Sequence, residues 1–101
     1  MTRPSTFEVM QTTFHYDAEH EWLEVSNAQM MKVDVLLNQL SSYSYVDSGI
    51  YYLEGDCDAE LFIRTARDQG IDVQWKEKDD GERSFIQSLN RIEIKPVILS
   101  I

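Results

Sequence analysis

Apolar residues along the chain recur at period two in some stretches and at helical spacing in others, and each change of period marks a predicted element. From Phe7 to Tyr16 the chain is rich in Thr, Val and aromatics. Met10, Thr12, Phe14 and Tyr16 share one face at period two, which predicts a strand. Asp17-Ala18-Glu19-His20 breaks the alternation as a turn, and Trp22-Leu23-Glu24-Val25 resumes an extended pattern. Ser26 and Asn27 are good N-cap types. Met30, Val33, Leu37 and Leu40 then fall at i, i+3, i+7 and i+10, so a helix begins near residue 27. Val33-Asp34-Val35 works against its continuation, because two β-branched side chains crowd the preceding turn.

Ser42-Tyr43-Ser44-Tyr45-Val46 and Ile50-Tyr51-Tyr52-Leu53 flank Asp47-Ser48-Gly49, which predicts a β-hairpin. Tyr43 and Tyr45 are expected on one face, with Ser42 and Ser44 on the other. Asp56-Cys57-Asp58 leads into a second helix with Ala59, Phe62, Ile63 and Ala66 on one stripe. Acids sit in its first turn, Arg64 and Arg67 in its second half, and Gly70 at a C′ position. Ile71, Val73 and Trp75 alternate with Asp72, Gln74 and Lys76 as a half-buried strand, and Lys78-Asp79-Asp80-Gly81 is a turn. Phe85, Leu89 and Ile92 have helical spacing, although Arg91-Ile92-Glu93-Ile94 also alternates as a strand. Pro96 ends either one. Val97 to Ile101 is an edge strand or an apolar tail.

The predicted order, β-β-α-β-β-α-β-α, describes an α+β domain: a small two-layer sandwich, a mainly antiparallel sheet with two or three helices on one face. One domain spanning 1–101 is expected, with 1–6 and 96–101 flexible. A chain of this length buries roughly two thirds of its unfolded surface.

Composition narrows the partners. Eighteen acids against nine bases give a formal net charge of −9, which disfavours direct contact with nucleic-acid phosphates. A hydrophobic content of 43% is enough for a core, so the charge does not imply disorder. Cys57 is the single cysteine and has no partner for an internal bridge. The first residues lack the apolar core of a signal peptide, and Pro96-Val97-Ile98-Leu99 is too short to span a bilayer. The expectation is a cytoplasmic protein without membrane contact.

Four groups could carry chemistry. His15 and His20 lie near Asp17, Glu19, Glu21 and Glu24, residue types that suit zinc, manganese or acid–base work. The simpler alternative is two polar residues at a strand end and turn, because nothing local forces the rings together. Glu54, Asp56, Asp58 and Glu60 alternate through a strand-to-helix junction. They form either a carboxylate cluster or caps, with Asp56 or Asp58 accepting the first helical amides. Cys57 sits at that helix start, with acids on both sides opposing any lowering of its pKa. A half-buried structural thiol is expected. Tyr43, Tyr45, Tyr51 and Tyr52, with Trp22 and Trp75, divide between core pairs and an interface. No phosphate-binding, dinucleotide or metalloprotease motif occurs, and no cofactor is expected.

His20-Glu21-Trp22-Leu23-Glu24-Val25, Ser41-Ser42-Tyr43-Ser44-Tyr45 and Tyr52-Leu53-Glu54-Gly55-Asp56-Cys57-Asp58-Ala59 carry a resemblance. They are similar to a group of short uncharacterised bacterial and mobile-element proteins with G-H-x-W-L-x-V, S-x-Y-S-Y and Y-L-E-E-D-C-D-A segments. The resemblance covers roughly residues 12 to 66, with Glu19 in place of the Gly and Gly55 in place of the second Glu. It implies a single small domain and no mechanism.

The leading expectation is a small acidic protein-interaction module, in its sharpest form an acidic decoy of a nucleic-acid-binding protein. Trp22, Tyr43, Tyr45, Tyr51, Glu54 and Asp58 are its interface candidates. The decoy form requires Glu21, Glu54, Asp58, Glu77 and Asp80 on one surface. The alternative is a small metal-dependent or hydrolase-like enzyme using His15, His20, Asp17 and Asp56, which must then converge. A homo-oligomer through the apolar tail and the tyrosine hairpin is compatible with the first.

Overall fold

The computed structural model describes residues 8–35 and 39–92. Its strands are β1 (Glu8–Tyr16), β2 (Glu21–Ser26), β3 (Tyr45–Asp47), β4 (Ile50–Glu54), β5 (Ile71–Asp79) and β6 (Asn90–Arg91). Its helices are α1 (Asn27–Lys32) and α2 (Asp58–Asp68). The strands form one sheet in the order β5-β1-β2-β4-β3-β6. Neighbouring strands are antiparallel except β1 and β5, which run parallel. The parallel pair follows from α2. It joins β4 to β5 as a crossover and delivers β5 past β2 to the far side of β1. The domain is therefore α+β, with a mixed sheet and two helices.

Local chemistry sets the element ends. Ser26 and Gln29 form a capping box: the Gln29 amide donates to Ser26 Oγ at 3.1 Å, and the Ser26 amide donates to Gln29 Oε1 at 3.0 Å. The helix stops at Lys32, with Val33 already extended at φ −98° and ψ 129°. The β-branched residues thus end it; Leu37 of the expected stripe lies outside the described residues. The β3–β4 hairpin turns through Ser48 and Gly49 with φ values of 48° and 81°, the type I′ geometry that matches strand twist. Strand β3 begins only at Tyr45. Ser42 and Tyr43 form a turn, so the expected face shared by Tyr43 and Tyr45 does not exist. Helix α2 matches its predicted span, followed by Gly70 at φ 83°.

Cross-strand register sorts the side chains onto two faces. Phe14 pairs with Leu23, Leu23 with Leu53, and Val46 with Tyr51. Met10, Leu23, Val25, Leu53, Ile71 and Val73 form the larger core with Met30 of α1 and Ala59, Phe62 and Ala66 of α2. Phe62 is wholly buried, a contribution of about 2–3 kcal/mol. His15 pairs with Trp22 and Tyr45 with Tyr52 on the opposite face. There Trp22, Tyr45, Tyr52 and Ile86 make a smaller cluster. The helix expected near Phe85 is one 3-10 turn, Phe85–Ser88, and its Ile86 belongs to that second cluster. Residues 90–91 pair as strand, and the expected tail at 97–101 lies outside the described residues. No helix among the described residues is long and apolar enough to cross a membrane.

Candidate functional site

Two polar assemblies meet at the end of the sheet where α2 begins, and they differ in what their side chains have left to offer. The first is internal. His15 projects from β1 onto the face of the smaller cluster and is 2% exposed. Its Nδ1 lies 3.0 Å from Asp80 Oδ2 and its Nε2 lies 2.7 Å from Glu24 Oε1. Both ring nitrogens are thus occupied by carboxylate oxygens. The rings of Tyr52 and Phe85 meet it edge-on at 5.8 and 5.6 Å. Burial, with the carboxylates of Glu24, Asp47 and Asp80, raises the Tyr52 pKa above its ordinary value.

Asp80 also accepts the Ser84 hydroxyl at 2.6 Å. The series Glu24–His15–Asp80–Ser84 has the residue types of a hydrolytic triad in the wrong order. The serine is bonded to the carboxylate, not to the imidazole, and is itself buried. The imidazole does not reach the hydroxyl, whose only neighbour of that series is the Asp80 carboxylate, so the arrangement is not that of a triad.

Asp17 closes the same knot. Its carboxylate accepts amides from Glu19 at 3.0 Å, His20 at 2.8 Å and Ser84 at 2.9 Å, and the Gln87 side chain at 2.5 Å. Burial alone would raise its pKa. These donors outweigh that effect and hold the carboxyl well below the usual carboxylate range.

A third internal carboxylate, Asp58, ties the hairpin to α2. It accepts the Ser41 amide, the Ser41 hydroxyl at 2.8 Å and the Ser44 hydroxyl, while Ser44 Oγ accepts the Glu54 amide at 2.9 Å. The S-x-Y-S-Y and D-C-D-A segments singled out above are therefore joined by hydrogen bonds. Asp58 does not cap the helix. The N-cap is Cys57, which makes no side-chain cap bond, and Glu54 takes the Asp56 and Cys57 amides at 3.2 and 2.9 Å. Neither expected aspartate cap forms: Asp58 is drawn inward to the two serines, and Glu54 holds the two amides that precede the helix. Cys57 is exposed, not half-buried. Residual desolvation and the carboxylates of Glu54, Asp58 and Asp56 raise its pKa, which leaves a weak nucleophile.

The second assembly is an open groove of about 650 Å³. Phe14 and Tyr16 of β1 and Trp75 of β5 supply its apolar lining, with Phe14 edge-on to Trp75 at 5.4 Å. Its acids come from separate places in the chain: Asp17 and Glu19 from the β1–β2 turn, Glu21 from β2, Glu54 and Asp56 from the end of β4, and Glu77 from β5. His20 lines it too, and no lysine or arginine does. Glu19, Glu21, Asp56 and Glu77 are exposed, and among the described residues none has a basic partner. Gly55 lets β4 pass close to Glu21. A Cβ there would stand 2.5 Å from Glu21 Cγ.

The candidates separate as follows. Trp22, Tyr45 and Asp58 are buried at 2, 7 and 3% exposure, although Trp22 and Tyr45 line a second open pocket of about 320 Å³ with Tyr43 and Glu54. Tyr43 is exposed, and Tyr51 and Glu54 are partly buried. Asp17, His20 and Asp56 line the groove, whereas His15 is enclosed outside it. His20 Nδ1 lies 3.6 Å from Asp17 Oδ1, already engaged by two amides, and its ring stacks on Trp22 at 5.6 Å. The proposed catalytic convergence does not form, and no group of three metal-ligating side chains occurs among the described residues. Of the five decoy acids, Glu21, Glu54 and Glu77 share the groove, while Asp58 and Asp80 are turned inward. Phe14, Tyr16, Glu19 and Trp75 were missed as a group. The alternation of β1 places Phe14 and Tyr16 on one face, but nothing local announces that β5 lies beside them. No family model, curated protein or solved structure matches this chain.

Proposed function

We propose that this chain is an acidic protein-interaction module that docks a lysine- or arginine-rich segment of a partner protein in the groove between β5, β1 and the start of α2. The observation that supports this reading is the pairing of four exposed carboxylates, without a basic partner among the described residues, with the rings of Phe14, Tyr16 and Trp75. Carboxylates attract the cationic head, and aromatic faces hold both the cation and the aliphatic stem. Net charge −9 extends the attraction beyond contact distance and speeds encounter with a basic surface. Surfaces that bind nucleic-acid phosphates are basic. The decoy of a nucleic-acid-binding protein is the specific form of this proposal, carried by Glu21, Glu54 and Glu77 with Glu19 and Asp56 in place of the inward-turned Asp58 and Asp80, and with a cytoplasmic location as its natural setting.

Titration with a lysine/arginine-rich peptide tests it, followed through the fluorescence of exposed Trp75. Saturable binding that weakens with salt and with Glu21→Gln plus Glu77→Gln is expected. A titration that is flat, or indifferent to those substitutions, rejects the groove. The decoy form adds that the protein displaces a labelled DNA duplex from the same peptide.

A further inference from the structure

Strand β5 ends the sheet, and among the described residues no strand pairs with its outer edge. Its inner edge is identified by three hydrogen bonds. The Gly70 carbonyl accepts the Glu8 amide at 3.1 Å, the Gln74 carbonyl accepts the Thr12 hydroxyl at 2.7 Å, and the Asp80 amide donates to the Tyr16 carbonyl at 2.8 Å. Even-numbered residues thus turn their backbone groups toward β1. Those groups alternate along a strand, so Ile71, Val73, Trp75, Glu77 and Asp79 present theirs outward.

We propose that β5 pairs antiparallel with β5 of a second copy of this chain, about a two-fold axis through Trp75, to continue the sheet across both subunits. In this register the outward-facing residues pair with one another: Trp75 with its own copy, Val73 with Glu77, and Ile71 with Asp79. All of β5 from Ile71 to Asp79 is used. The side chains on the other face then set Asp72 opposite Lys78 and Gln74 opposite Lys76, each pair occurring twice by symmetry. Moving the axis to Lys76 would put that lysine against its copy, and moving it to Glu77 would oppose Lys76 and Lys78. Moving it to Gln74 keeps an Asp72–Lys76 pair but leaves Lys78 beyond the paired strand. Lysines on an edge strand ordinarily discourage pairing. Here they penalise the slipped registers and leave the two-fold one complementary, as expected of a contact that must be specific. The exposed indole of Trp75, 44% accessible, gains a partner.

The contact shares Trp75 and Glu77 with the groove, so the assembly experiment is run without peptide and the peptide titration below the dimerisation range, and the two can then fail separately. Sedimentation velocity from about 10 µM to 1 mM, in about 0.15 M salt to screen the repulsion between two acidic particles, tests it. The native chain is expected to dimerise with concentration. Asp72→Lys and Lys78→Asp, both at exposed positions, should each weaken the dimer by about tenfold, and the double variant should recover to within about threefold. A monomer at every concentration overturns the proposal. So does a dimer indifferent to the single reversals, or one that the double reversal does not restore.

Discussion

His15 and His20 flank one turn and meet opposite conditions. Both nitrogens of His15 are engaged by Asp80 and Glu24 inside an aromatic enclosure, while His20 lies on the rim of a groove whose acids are mostly exposed. The internal carboxylates Asp17, Asp58 and Asp80 are each held by several donors. Glu19, Glu21, Asp56 and Glu77 carry the same chemistry and hold no basic partner among the described residues. A side chain whose hydrogen-bonding capacity is spent inside stabilises the fold, whereas one that keeps its capacity is available to something else. The contrast separates architecture from docking surface in a molecule where carboxylates supply both.

The largest break in this contrast is expected from His15→Ala. It removes the ring nitrogen that lies 3.0 Å from Asp80, leaves a buried carboxylate short of partners and opens space beside Tyr52 and Phe85. A loss of about 4 kcal/mol is expected in urea unfolding. Asp58→Ala follows at about 3 kcal/mol, because the amide and hydroxyl of Ser41 and the hydroxyl of Ser44 lose their acceptor.

Asp17 adds a pH dependence. An aspartate in the unfolded chain titrates near pH 4, and the folded carboxyl titrates well below that. As pH falls through this window the unfolded chain takes up a proton that the native chain resists. The contribution of Asp17 is therefore complete above about pH 4 and drains away as pH falls toward the folded pKa. Asp17→Asn should cost about 2 kcal/mol at neutral pH and flatten the acid limb of a stability–pH curve. At the small end, Glu21→Gln with Glu77→Gln should change stability by less than about 0.5 kcal/mol, while weakening capture of a basic peptide. A large stability loss there would erase the distinction between the two regions.

The internal knot was only partly legible from the chain. His15 was singled out, yet Asp80, Ser84 and Gln87 reach it and Asp17 from distant segments, and spacing carries no trace of that. The aspartate caps predicted for α2 failed for a related reason. Local rules rank Asp58 a good cap, but the two serines before β3 offer it more donors than the helix start does. In the groove, the face shared by Phe14 and Tyr16 was readable, and its completion by Trp75 and Glu77 was not.

The chain by itself determined what nearest neighbours and period control: β1 and β2 with their turn, the capped start of α1, the Ser48–Gly49 hairpin and the whole of α2. It also determined the excess of acid that makes basic partners the natural ones. Only the tertiary structure decided which acids are held inside and which stay exposed, because that depends on α2 carrying the chain across the sheet so that β5 lies parallel to β1. Parallel pairing between strands so far apart in the chain rests on many weak contacts formed together, and no short segment encodes it.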